Sequence, residues 1–333
     1  MNDVISVPLI ALRLLANRKG KLSAVRLDLG PGNAEGLTGL TEQEDFRTLA
    51  GRFPCIFHLD DGAALPPPLV ESWKEAGCQP VSRASIERID HLLKTEYGHE
   101  VEWIDGNWYL MPPAKLTGGQ AASRAVALQL VQLVAADADN REIEAVFRRD
   151  PTLSYHLLRL VNSLGAGAGR RITSFSQAIV ILGRLQLRRW LNLMLFAARD
   201  GDHRSSMLLA RVAARARTME LLARASGLDN ALQEQAFMTG MFSMLGTLFG
   251  MPIEEVLRPL AIGEAMRGAV LMRAGELGQL LQLVEAAEES DFAALDAALA
   301  KLRLAHAEFN LAAVRACDWM LGVTQDGVGE SHA

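Results

Sequence analysis

Two rhythms of apolar and polar positions divide the chain. Up to about residue 115 the apolar runs are short, and turn formers separate them. VISVPLIALRLL, KLSAVRLDL and PCIFHLDD alternate with NRKGK, GPGNAEG and DDGAALPPP. Short apolar runs bounded by Gly, Pro, Asn and Asp predict strands joined by turns. LVESWKEAGC has helical spacing instead and ends at Gly77, a residue that closes helices in a left-handed conformation. SRASIERIDHLLKTEY also carries apolar residues at helical spacing, and VEWIDGNWYLMPP predicts a hairpin around Asp105-Gly106. The expectation for residues 1–115 is a small α/β or α+β module.

After Pro112-Pro113 the strand signals stop and amphipathic helical periodicity takes over. Helices are predicted over 118–136, 140–149, 151–164, 174–182, 185–198, 204–226, 230–249, 253–260, 274–289, 291–302 and 304–322. The fold class expected is therefore mainly α: an all-helical domain over 116–323 behind the N-terminal module, with a flexible tail at 324–333.

The strongest local pattern is RRDPTLSYHLLRLVNSLGAGAGRRITSFSQAIVILGRLQLRRW. Asp150 suits an N-cap and Pro151 the first helical turn, where a missing N–H costs nothing. Leu153, Leu157, Leu160, Val161 and Leu164 make one apolar stripe, which GAGAG ends. Ser174 and Gln177 have capping-box spacing, and Gly183 can close the helix they start. Arg159, Asn162 and Ser163 finish a helix beside the glycine-rich loop, where such side chains can tie down unsatisfied carbonyls and amides. With Gln177 they form the candidate pocket or partner surface. Arg184, Arg188 and Arg189 near Trp190 are read as a solvated helix face.

DPTLSYHLLRLVNS, the glycine-rich loop, ITSFSQAIVILG and the arginine-containing helix after them resemble the core of the HDOD family. The resemblance covers about residues 117–322. It implies a helical fold related to HD-type phosphohydrolases, a place in bacterial signalling, and typically no hydrolytic activity. AFMTGMFSMLGTLFGMPIEEVLRPL is similar to the subgroup in which an EAL-type domain, of the cyclic di-GMP phosphodiesterase class, precedes the HDOD domain. The N-terminal module here is much shorter than a complete EAL domain, so it is expected to be degenerate.

An HD-type enzyme needs His and Asp on neighbouring helices to hold metals that activate water. None of the seven histidines, at 58, 91, 99, 156, 203, 306 and 332, is followed by Asp. The resemblance places the dipeptide at Ser243-Met244, which offers no such ligand pair. A helix start that often carries a His reads Arg204-Ser205-Ser206, with Asp202 and His203 in the loop before it. His156 is read as an ordinary helix residue. Asp60-Asp61-Gly62 could present paired carboxylates to a divalent cation, and a similar Asp pair belongs to EAL sites. However, Arg26-Leu27 stands where a glutamate motif would be expected, and about 35 residues before Asp60 are too few for the missing barrel units. There is no GxxxxGK[ST], and GAGAG lacks the strand that precedes a dinucleotide loop.

Composition narrows the reading further. Half the residues are apolar, 22% are charged and the net charge is −5, which suits a globular protein and gives no general attraction to nucleic acid. Cys55, Cys78 and Cys317 lie far apart in sequence and are read as reduced packing residues of a cytoplasmic protein rather than a disulfide frame. No secretory or anchoring segment is expected.

The expected function is a non-catalytic signal-transduction adaptor working through protein–protein contacts with other signalling proteins. Catalytic residues, cofactor and metal are all expected to be absent, with no nucleic-acid or membrane partner. Two alternatives stay open: a cyclic di-GMP phosphodiesterase or sensor using the N-terminal module, and an HD-type metal-dependent phosphohydrolase.

Overall fold

The computed structural model describes residues 7–31, 38–58, 66–112 apart from 92 and 95, 203–328, and scattered positions between 126 and 196 that include 138–147. The three apolar runs near the N-terminus are strands β1 (Ile10–Ala16), β2 (Leu22–Leu29) and β3 (Cys55–His58). With β4 (Gln79–Val81), β5 (Ile86–Arg88) and β6 (Trp103–Asp105) they make one mixed sheet in the order β4-β3-β2-β1-β6-β5. β1 and β2 form an antiparallel hairpin in which Leu14 faces Val25. Its turn is held by Asn17, whose Oδ1 accepts from the Lys19 and Lys21 amides at 2.9 and 3.1 Å.

β2, β3 and β4 run parallel, and parallel neighbours need crossover connections. The connecting segments contain the helices α1 (Thr38–Thr41), α2 (Glu44–Arg52) and α3 (Pro67–Glu75). Gly77 has φ +102° just after α3, as its position in the sequence suggested.

Two expectations for this module need correction. SRASIERIDHLLKTEY is not a helix: it gives a 3₁₀ turn at Arg83–Ser85 and then β5, which pairs in parallel with β6. The available sheet edge satisfies its backbone, and this outweighs local periodicity. Nor is Asp105-Gly106 a hairpin, because β6 lies between β1 and β5 and the chain leaves the sheet into a 3₁₀ turn at Trp108–Leu110. Gly106 makes that exit at φ +105°, with the Ile89 carbonyl so close that a Cβ would sit 2.1 Å from its oxygen.

The remaining described elements are helices: α4 (Asn140–Phe147), α5 (Ser205–Ala225), α6 (Asn230–Phe242), α7 (Leu245–Phe249), α8 (Ile253–Leu257), α9 (Glu264–Met272), α10 (Gly275–Glu288), α11 (Phe292–Leu302) and α12 (His306–Val328). Asp229 and Asp291 cap α6 and α11 through the Leu232 and Ala294 amides. The helix expected over 230–249 is broken at Ser243-Met244, where the Met244 amide turns back to the Met241 carbonyl. α9 falls in a gap between the expected helices because Gly263 and Gly268 weaken its signal. Residues 324–328, expected in the tail, belong to α12, which runs to Val328, and the Thr324 hydroxyl bonds the Met320 carbonyl at 3.0 Å.

Sheet and helices share one core. A single apolar cluster joins Leu14, Val25, Phe57 and Trp73 of the N-terminal part to Met207, Leu208, Phe237 and Met320 of the helices. Burial on both faces explains why β1 reads as an apolar run broken only by Arg13.

Candidate functional site

Where this core meets the polar residues of the strands, arginines and carboxylates are packed out of water. Arg13 on β1 and Arg26 on β2 are cross-strand partners, a like-charge pairing that is unfavourable on its own. Asp105 at the end of β6 bridges them, accepting from Arg13 Nη2 at 2.9 Å and Arg26 Nη1 at 3.1 Å. Burial, the largest single influence on Asp105, pushes its carboxyl upward. The two guanidiniums and the Gly106 amide outweigh it and hold the group below its ordinary value. Arg26 also grips Asp28 through two bonds, and Asp28 accepts from the Ser290 hydroxyl at 2.8 Å. Arg13 reaches the helical layer too, through the Glu288 carbonyl at 2.5 Å.

The helical side of the cluster is built on α5 and α10. Arg211 and Arg215, one turn apart on α5, both pair with Glu288 of α10. Arg211 Nε also donates to the buried Tyr109 hydroxyl at 2.8 Å. Arg215 Nε and Nη2 hold the Glu288 carboxylate at 2.9 and 2.5 Å, while Nη1 donates to Ser243 Oγ at 2.8 Å. The same Ser243 hydroxyl donates to the Gly240 carbonyl at 2.7 Å. Desolvation alone would raise Glu288, but Arg215 and Arg211 bring it below the ordinary value; Arg215 is correspondingly held above its own. Beside this cluster a small cleft of about 60 Å³ is lined by Leu12, Leu14, Arg215, Thr218, Glu288 and Cys317.

A second buried cluster corrects one expectation. Arg189 is not on a solvated face: it is 8% exposed and pairs with Glu220 at 3.0 Å and with Glu234, its guanidinium 4.5 Å from the Phe237 ring centre. Arg184, Arg188 and Trp190 lie outside the described residues. So do the four candidate surface residues Arg159, Asn162, Ser163 and Gln177, together with His156, Asp202, the GAGAG loop and Asp60-Asp61. His203 is exposed, and its neighbour Arg204 caps toward the Met111 carbonyl at 2.6 Å. Sequence reasoning missed Arg13, Arg26, Asp105, Arg211, Arg215 and Glu288. The available signals were charges inside apolar strands and the i, i+4 arginine pair on an otherwise apolar stretch of α5.

Residues 122–257 match the family model of the HDOD domain. The chain contains an HDOD domain. It is 34% identical over 168 residues to the cyclic di-GMP phosphodiesterase CdgJ of Vibrio cholerae, covering 50% of this chain and 38% of that protein. It is 30% identical over 155 residues to the uncharacterized protein YuxH of Bacillus subtilis, covering 46% of this chain and 37% of that one. The matches thus span well under half the length of both relatives. A putative phosphohydrolase structure from Shewanella amazonensis superposes with a TM-score of 0.42 at 14% identity, covering 61% of this chain and 93% of that one. Ser243 and Met244 fall between α6 and α7, inside the HDOD match. Among the described residues no helix is long and apolar enough to cross a membrane, and no group of three or more His, Cys, Asp or Glu is arranged to hold a metal ion.

Proposed function

We propose that this chain is a non-catalytic signal-transduction adaptor whose HDOD domain acts through protein–protein contacts. The observation that carries this reading is the state of Ser243. Its hydroxyl accepts from Arg215 and donates to Gly240, and the nearest carboxylate on that guanidinium, Glu288, is itself taken up by Arg215 and Arg211. A metal-activated hydrolase needs free oxygen or nitrogen ligands at such a position. Here those oxygens are engaged in an internal ion pair, which suits a platform that keeps the helical scaffold for recognition.

The partner surface proposed for recognition is Arg159, Asn162, Ser163 and Gln177, and the partners are other signalling proteins. An arginine such as Arg159 can pair bidentately with a partner's carboxylate. The test combines capture of native complexes from the source cells with phosphodiesterase assays in Mg²⁺ and Mn²⁺. The adaptor reading expects a specific co-purifying protein, lost with Arg159→Ala, and no turnover. Metal-dependent turnover abolished by substitutions around Ser243 would instead establish the HD-type hydrolase.

A second reading, favoured by the name of the Vibrio relative, is a cyclic di-GMP phosphodiesterase or sensor using the shortened EAL-like module. Titration with cyclic di-GMP separates it from the first: saturable binding or hydrolysis that Asp60→Ala removes would support it.

A further inference from the structure

Two of the three cysteines, distant in sequence, meet in the fold. Cys55 opens β3, and Cys78 immediately precedes β4. The parallel register pairs Ile56 with Gln79, Phe57 with Pro80 and His58 with Val81, so Cys55 and Cys78 are the next lateral pair. Adjacent strands lie about 4.8 Å apart, within the roughly 4.4–6.8 Å Cα separation that a disulfide accepts. The turn before Cys78 is fixed by Gly77 at φ +102° and by the Cys78 amide bonding the Trp73 carbonyl at 2.8 Å. Both thiols are free and buried, and β4 beside them is a three-residue edge strand with Gln79 and Pro80 exposed.

We propose that Cys55 and Cys78 are a redox-active dithiol that closes to a disulfide on exposure to a hydroperoxide, clipping the edge strand β4 to β3. The neighbouring Cys55 thiol and burial both push the Cys78 thiol upward, and the register places the two sulfurs on the same face of adjacent strands, where either can resolve the other. The Cys55 thiolate attacks the peroxide oxygen, breaking the O–O bond to leave a sulfenic acid and release an alcohol or water. Cys78 then gives up its proton and its sulfur attacks Cys55, breaking the S–O bond; the departing hydroxide takes that proton and leaves as water. The two thiols lose two electrons and two protons, and the peroxide gains them. Burial makes the reaction slow, because oxidant access requires the short edge strand to open. The pair therefore responds to sustained oxidant rather than to brief exposure.

Cys317 on α12 is the competing thiol, since it is buried close enough to Cys55 to feel its charge. The decisive experiment is prolonged treatment of the native protein with hydrogen peroxide, alkylation of remaining thiols, and peptide mapping by mass spectrometry without reduction. A linked peptide pair carrying Cys55 and Cys78, with Cys317 alkylated, is expected; Cys317→Ser keeps the link and Cys78→Ser loses it. Oxidation should also raise the melting temperature of wild type and Cys317→Ser by roughly 5 °C, and not that of Cys78→Ser. A Cys55–Cys317 link, or three alkylated thiols after oxidation, would overturn the proposal. The wild-type map decides this even if a variant fails to fold.

Discussion

Arg13 and Arg26 stand directly opposite each other across the β1–β2 ladder, and Asp105 from a third strand holds both. Two like charges at one rung make sense only with that counterion present. Replacing Asp105 by Asn keeps the shape and removes the charge. Loss of one partner from a buried ion pair typically costs about 3–5 kcal/mol. Asp105→Asn is expected to lose about 3 kcal/mol in urea unfolding, since Asp28 still partly compensates Arg26. A loss under about 0.5 kcal/mol would mean that the arginines find other partners.

The same carboxylates set an acid limit. Asp105 and Glu288 both have folded-state pKa values below their ordinary ones, because their arginine partners outweigh burial. A depressed carboxylate contributes stability above its unfolded pKa and loses it as pH falls through the folded value. Stability should therefore be flat in this respect at neutral pH and fall below about pH 4. Thermal melts between pH 3 and 7 check it, and Asp105→Asn should flatten part of the slope.

Asn310 on α12 is fully buried and fastens the start of β1. Its Oδ1 accepts from the Ile10 amide at 3.0 Å, and its Nδ2 donates to the Pro8 carbonyl at 2.8 Å. Leaving a buried backbone group unpaired costs about 1–3 kcal/mol. Asn310→Ala is expected to lose about 2–4 kcal/mol and to speed hydrogen exchange of the Ile10 amide. Unchanged exchange there would show that the strand is held elsewhere.

Burial separates two arginines of similar chemistry. Arg189→Ala takes Glu234's arginine away and leaves Glu220 with Arg217 alone, and should cost about 3 kcal/mol. Arg52, paired with Asp318 at 2.9 Å, is about half exposed, and Arg52→Ala should change stability by less than about 1 kcal/mol. Equal effects in chemical denaturation would contradict the difference in environment.

The helices over 205–225, 275–288 and 292–302 agree with the sequence periodicity within a residue or two, as does β2, while β1 and β3 overlap their apolar runs less closely. Local rules suffice there: apolar spacing, an Asp cap at 291, glycine where the chain must turn. The same rules misassigned 82–97 and the Asp105-Gly106 turn, because pairing with a distant strand decided them. The four candidate residues at the glycine-rich loop lie outside the described residues, and the cluster around Arg215 depends on α5 meeting α10, which no local pattern encodes.

By itself the sequence determined the type of most of the described elements, the HDOD resemblance, and the absence of a His-Asp dipeptide. These are properties of neighbouring residues, fixed by side-chain volume, capping and spacing. Only the tertiary structure decided that Arg13, Arg26, Arg211 and Arg215 are buried, that Asp105 and Glu288 neutralise them, and that Cys55 lies beside Cys78. A charge in an apolar run has the same local signature whether it faces water or a counterion a hundred residues away. What distinguishes the two is desolvation and the partner's position, and both exist only once the sheet is packed against α5, α10 and α12.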